Sequence, residues 1–205
     1  MYKIAVLISG GGTNLQSIID NVKSGFINCK IEIVISDNEK AYGIERAREN
    51  HIYAIALGKK QYGDKLSDEI LKVVEEKDVD LIVTAGFLSI LKGDLLKKFK
   101  DRIINIHPSL IPSFCGKGMY GLNVHKAAIN YGVKVSGCTV HFVDEGTDTG
   151  PIIIQKSVPV FAEDTAEILQ KRVLEKEHEA LPEAIKLISE NKVKVQERKV
   201  FTENN

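Results

Sequence analysis

The stretch Arg102-Ile103-Ile104-Asn105-Ile106-His107-Pro108-Ser109-Leu110-Ile111-Pro112 divides the chain into two patterns. Ile103, Ile104 and Ile106 make a short apolar run of the kind that forms a sheet strand. Pro108 has no N–H to give to a ladder, so the strand ends near His107. Asn105 and His107 then sit two residues apart, on one face, at the carboxyl end of that strand. In an open α/β sheet, ligands gather outside the carboxyl ends of the strands. The position is therefore a candidate site on geometry alone.

Upstream, strand and helix alternate. Residues 3–8 read as a strand, 14–23 as a helix with Leu15, Ile18 and Ile19 on one face, and 30–36 as a second strand. A short helix over 44–48 and a strand over 52–56 follow. Leu66, Ile70, Leu71, Val73 and Val74 have helical spacing within 66–77. Residues 80–85 form a fourth strand, and 91–99 a helix that returns the chain to 102–106. Repeated β-α units of this length predict a parallel sheet with helices on both faces. Downstream the rhythm changes. Residues 113–121 are glycine-rich and show no element, and 122–130 reads as a helix. Two strands, 133–142 and 152–160, have no helix between them and are expected to pair antiparallel. Residues 165–190 are strongly helical with a break or kink expected at Pro182, and 192–201 is expected to form a hairpin. The expectation is an α/β fold, mostly parallel with antiparallel C-terminal strands.

Composition narrows the function classes. The 205 residues suffice for one domain with a substantial core. Lys+Arg and Asp+Glu each total 28, so a general nucleic-acid surface is not expected, while a local pocket for a small anion is. The N-terminal apolar run ends at Ser9, too short for a membrane span and without a cleavage signal. Cys29, Cys115 and Cys138 are odd in number and lack metal-ligand spacing, which fits a reducing cytoplasm.

Two further segments carry chemistry. Ser9-Gly10-Gly11-Gly12-Thr13-Asn14 joins a strand to a helix, where successive N–H groups and the helix N-terminus attract an anion. Thr13 or Asn14 is placed to cap the helix or donate to a phosphate. The lysine of a P-loop is absent, and the third glycine of a dinucleotide fingerprint is replaced by Leu15, so a single phosphate fits best. The second segment, Val140 to Pro151, crowds Asp144, Glu145 and Asp148 between two strands. Such acids are often plain turn residues. If the loop folds over the end of the 102–106 strand, Asp148 approaches His107, raises its pKa and favours imidazolium. Asn105 would then be a second donor to a developing oxyanion. A zinc site built from His107, His125, His141 and Asp148 lacks a close-spaced ligand pair. A serine hydrolase is disfavoured because no Gly-x-Ser-x-Gly elbow accompanies Ser109. His51 and His178 read as ordinary strand and helix residues.

"ISGGGTNL" (8–15), "NIHPSLIP" (105–112) and "VHFVDEGTDTGPIIIQ" (140–155) together resemble phosphoribosylglycinamide formyltransferases, from Lys3 to at least Pro182 in the family's order. The resemblance implies a single Rossmann-like formyltransferase domain over 1–205. Its N-terminal half (about 1–100) would bind the nucleotide phosphate. The C-terminal half (about 101–190) would be catalytic and folate-binding, with 191–205 as terminal strands or tail. It implies formyl transfer from 10-formyltetrahydrofolate to the amine of glycinamide ribonucleotide in purine biosynthesis. No metal, nucleic acid or membrane partner is implied, and the state would be a monomer or weak homodimer. By residue, it implies Asn105, His107 and Asp148 as catalytic groups. Gly11, Gly12, Thr13, Asn14, Pro108, Ser109, His125 and Glu177 would meet the nucleotide. Leu88, Ser89, Ile90, Leu91, His141, Val143, Asp144, Glu145 and Gly146 would line the folate site. The chain departs from many members at Ser89, where they carry arginine, and in a longer 113–121 loop. A formyltetrahydrofolate hydrolase and a non-catalytic nucleotide-binding module are the alternatives.

Overall fold

The computed structural model of the chain describes residues 1–203; Asn204 and Asn205, the end of the expected terminal segment, lie outside the described residues. The chain parts into two compact units, Met1–Asn105 and a second beginning at Ile106.

The first unit runs β1 (Tyr2–Ile8), α1 (Thr13–Lys23), β2 (Cys29–Ser36), α2 (Tyr42–Glu49), β3 (Ala54–Ala56), α3 (Lys59–Tyr62), α4 (Leu66–Glu76), β4 (Leu81–Thr84) and α5 (Asp94–Lys98). It ends in β5 (Ile103–His107), which carries the chain across the boundary. The strands of this unit lie in the order β3-β2-β1-β4-β5, every pair parallel. β1 is central, and Ile4 through Ile8 are wholly buried. A strand covered on both faces needs apolar side chains in both directions, so it reads as a continuous run rather than an alternation. On α1, Leu15, Ile18 and Ile19 turn inward, as their spacing predicts.

Several elements are shorter than expected, β4 and the later strand Val135–Phe142 by two residues each. The helix expected over 91–99 is only Asp94–Lys98, because Gly93 stands before it at φ +71 and Leu91 is buried in an irregular segment. β3 loses Ile52 and Tyr53, although the Tyr53 carbonyl still accepts from Val34 N at 2.9 Å. The short α3 has no buried residue and no apolar period to announce it.

The second unit contains α6 (Leu122–Tyr131), β6 (Val135–Phe142), β7 (Ile152–Pro159), α7 (Ala166–Ser189), β8 (Val193–Gln196) and β9 (Lys199–Thr202). β6 and β7 pair antiparallel, with an irregular register between Val140 and His141. β8 and β9 form the expected terminal hairpin. Parallel pairing in the first unit and antiparallel pairing in the second give the mixed α/β pattern the sequence predicts. The break expected at Pro182 does not occur, and α7 runs unbroken through it. Proline removes one main-chain donor. The buried face on either side, Val173, Leu181, Ala184 and Ile185, holds the helix in register against that loss. Thr165 starts α7 by accepting from Ile168 N at 3.3 Å. Among the described residues, no helix is long and apolar enough to cross a membrane.

Candidate active site

In the first unit, the glycine turn is set by close backbone packing. Gly12 lies at φ +71, and a Cβ there would stand 2.8 Å from the Gly43 Cα on α2. Gly43 N donates to the Gly10 carbonyl at 3.0 Å. Arg46 Nε donates to the Gly11 carbonyl at 2.7 Å, and its Nη1 to Gln16 at 3.3 Å. Gly12 is itself the N-cap of α1, so neither Thr13 nor Asn14 caps the helix; they are its first two residues. With no capping side chain and no acid in the first turn, the helix presents its positive end and its leading N–H groups. A helix start of that kind attracts anions.

Beside β1, Ser9 N donates to the Gly86 carbonyl at 3.1 Å, and Ser9 Oγ accepts from Leu88 N at 2.8 Å. Leu88 and Ile90 are 59% and 73% exposed. Leu91 instead faces the core, and Ser89 is buried, its hydroxyl donating to Asp37 at 2.6 Å. On β5, the Asn105 carbonyl oxygen accepts from Thr84 Oγ1 at 2.6 Å. That bond turns the amide NH2 edge away from Thr84, as a donor role requires.

In the second unit, β5 ends at His107, and the 143–151 loop brings Asp148 to it. His107 Nδ1 lies 3.6 Å from Asp148 Oδ2, and His141 Nε2 lies 3.7 Å from Asp148 Oδ1. Asp148 sits at φ +58, which aims its carboxylate back at the strand end. Gly116 N donates to Asp148 Oδ2 at 2.9 Å. The Phe114 carbonyl lies 3.0 Å from His107 Nε2, and the Phe142 carbonyl 2.8 Å from His141 Nδ1. The convergence of His107 with Asp148, conditional in the sequence, is thus present.

The charge balance differs from the expectation. Burial pulls the His107 pKa below its ordinary value, outweighing the Phe114 carbonyl and Asp148, which both raise it. The ring is therefore neutral near pH 7, not imidazolium. Burial pushes the Asp148 carboxyl up, but His141, the Gly116 N–H and His107 together pull it below the usual range. The pair is a neutral imidazole beside a carboxylate.

The remaining residues divide by exposure. Ser109 is fully buried and its hydroxyl is taken by the Ser113 carbonyl at 2.6 Å, while Pro108 beside it is half-buried. Glu177 is buried on α7, and Val143 and Asp144 are half-buried. Glu145 and Gly146 are exposed at the loop tip, where Gly146 N donates to Asp144 Oδ1 at 3.1 Å. Among the described residues, no cluster of His, Cys, Asp and Glu is placed to hold a metal ion.

His125 on α6 is buried, and its Nδ1 has no hydrogen-bond partner among the described residues. Burial, helped by His107, lowers its pKa from 6.5 to about 4. A histidine whose folded pKa is depressed adds stability above the unfolded value, lost as pH falls from 6.5 toward 4. At full weight the effect is about 3 kcal/mol, and solvent screening brings it to about 2 kcal/mol. Urea unfolding at pH 7 and pH 4.5 is expected to show the parent losing more stability than His125→Asn by roughly that amount. Equal losses would show that the ring charges freely.

Several site groups carry no sequence signal. Thr84 meets Asn105 because the β4–β5 register sets them opposite. Gly43 and Arg46 brace the glycine turn from 31 or more residues away in the chain (43 − 12 = 31). Phe114 and Gly116 act through backbone atoms, which no side-chain pattern reveals.

A formyl transferase family model matches residues 2–185. The phosphoribosylglycinamide formyltransferase of Haemophilus influenzae is 41% identical over 203 residues, covering 98% of this chain and 93% of that protein. The trifunctional purine biosynthetic protein adenosine-3 of Gallus gallus is 44% identical over 197 residues. That match takes 95% of this chain, which spans about a fifth (19%) of the Gallus protein's length. Among solved structures, glycinamide ribonucleotide transformylase 1 from Symbiobacterium toebii matches with a TM-score of 0.94 at 42% identity, over 100% of this chain and 95% of that one. The chain belongs to the formyl transferase family and, within it, to the phosphoribosylglycinamide formyltransferase relatives.

Proposed function

We propose that this chain transfers the formyl group of 10-formyltetrahydrofolate to the amine of glycinamide ribonucleotide. The observation that carries this reading is the His107–Asp148 pair at 3.6 Å, a neutral ring beside an ionised carboxylate at the end of a strand that also bears Asn105. The amine attacks the formyl carbon and makes a tetrahedral oxyanion. Asn105 and the His107 N–H donate to that oxygen, an interaction strongest in the intermediate and so lowering the barrier. Asp148 accepts the amine proton, directly or through water, and collapse expels the folate nitrogen as it regains a proton. No covalent enzyme intermediate is required. Gly11, Gly12, Thr13 and Asn14 hold the nucleotide phosphate, with Glu177, Pro108, Ser109 and His125 toward the rest of the nucleotide. Leu88, Ile90 and the 143–146 loop serve the folate, and Ser89, bound to Asp37, leaves any arginine task to other residues.

A formyl-transfer assay with and without glycinamide ribonucleotide tests the reading. Folate release that requires the nucleotide and matches its formylation is expected. Release without the nucleotide would make the protein a hydrolase. Silence under both conditions, with nucleotide still bound, would make it a binding module.

A further inference from the structure

His107 has two ring nitrogens, and both already face protein groups. Nε2 lies 3.0 Å from the Phe114 carbonyl, and Nδ1 lies 3.6 Å from Asp148 Oδ2. A carbonyl only accepts, so Nε2 carries the hydrogen and Nδ1 of the neutral ring turns its lone pair to the carboxylate. The separation at Nδ1 exceeds a hydrogen bond, as expected when neither atom there holds a proton. The N–H that would reach a formyl oxygen is thus the one that Phe114 accepts. Protonating the ring frees nothing, because the new N–H points at Asp148.

We propose that Phe114 is a positioning residue for His107: its main-chain carbonyl fixes the Nε2–H tautomer and holds the place that the formyl oxygen takes in the reaction. This rests on the formyl-transfer reading. The substrate oxygen then meets a donor already aimed at an acceptor of the same kind, and the 113–121 segment must yield that place before transfer.

The segment is built to hold the carbonyl there. Phe114 lies at φ +50, unusual for a residue with a side chain, and Gly116 at φ +89. Ser109 Oγ donates to the Ser113 carbonyl at 2.6 Å, pinning the preceding residue. The Phe114 ring meets the Tyr131 ring edge-on, centroids 6.0 Å apart at 73°. Two residues on, Gly116 N donates to Asp148, so one short stretch offers an acceptor to the imidazole and a donor to its carboxylate. The titratable groups around the ring are Asp148, His141 beyond it, His125 from α6, and the Cys115 thiol, which interacts with Asp148.

Tyr131 is 81% exposed and lies outside the binding and catalytic groups, so Tyr131→Ala loosens the Phe114 ring without touching them. Nitrogen-15 NMR of histidine-labelled full-length protein is expected to show His107 as the Nε2–H tautomer. In Tyr131→Ala the two tautomers should mix. The Phe114 hydrogen bond raises the ring's pKa, so the acid limb of kcat/KM should move to lower pH. Tyr131→Phe keeps the ring contact and should restore both readouts. An Nδ1–H tautomer in the parent would overturn the proposal. So would Tyr131→Ala that lowers only the melting temperature, with tautomer and pH limb unchanged. Loss of the formyl-transfer reading would appear separately, as a silent transfer assay on a protein whose His107 tautomer still answers to Tyr131; the tautomer role would then stand and the displacement by a formyl oxygen would fall.

Discussion

Replacing Asp148 with asparagine is expected to lower the single-turnover rate of formyl transfer by about 10³-fold, with nucleotide affinity held within about threefold. Asparagine keeps the shape, and it tolerates the left-handed φ of +58 better than most residues, so the loop retains its path. It can still accept from Gly116 N, now 2.9 Å from Asp148 Oδ2. What it loses is the charge. A neutral amide cannot take the amine proton, and it withdraws the one carboxylate that raises the His107 pKa. The loss falls on the step where charge develops and not on ground-state binding, so the rate drops while affinity holds. Rapid-quench transfer beside nucleotide titration checks it. A rate within twofold of the parent would remove Asp148 from the chemistry.

The parts of this site that were legible in the sequence are those set by local rules. Pro108 ends β5 at His107, and strand periodicity places Asn105 and His107 on one side. The continuous apolar run of β1 followed by three glycines marks a buried parallel strand and a turn into a helix. What stayed hidden depends on groups distant in the chain or on backbone atoms. Thr84 orients Asn105 through strand register. The protonation state of His107 turned on the degree of burial, which outweighed the carboxylate that proximity alone would have credited. No break occurs at Pro182 for a related reason: the rule that proline ends a helix is local, whereas the buried face that carries α7 through it is tertiary. Nor does a run of three glycines say which of them the fold requires.

The structure answers that last question with unequal glycines. Gly12→Val is expected to weaken glycinamide ribonucleotide binding at least about 100-fold, the equivalent of about 2.7 kcal/mol. Two costs act at one position. Gly12 lies at φ +71, where a side chain costs about 1–2 kcal/mol and a β-branched one more. Its Cβ would also stand 2.8 Å from the Gly43 Cα, backbone that can retreat only if α2 moves. That movement would pull on Gly10 and Gly11, which α2 holds through Gly43 N and Arg46 Nε. The N–H groups offered to the phosphate would lose their common aim. Gly10 differs: a Cβ there meets nothing within 4 Å, and no positive φ demands glycine. Gly10→Ala should therefore bind within about threefold of the parent. Calorimetric titration of parent and both variants, each first shown to melt cooperatively, separates the cases. The dephosphorylated nucleoside gives the second arm. It should bind the parent weakly and distinguish parent from Gly12→Val poorly, because the damaged contact is the one it lacks. Equal parent affinity for the phosphorylated and dephosphorylated forms would take the phosphate away from this turn, and the glycines would then serve only the close approach of α1 and α2.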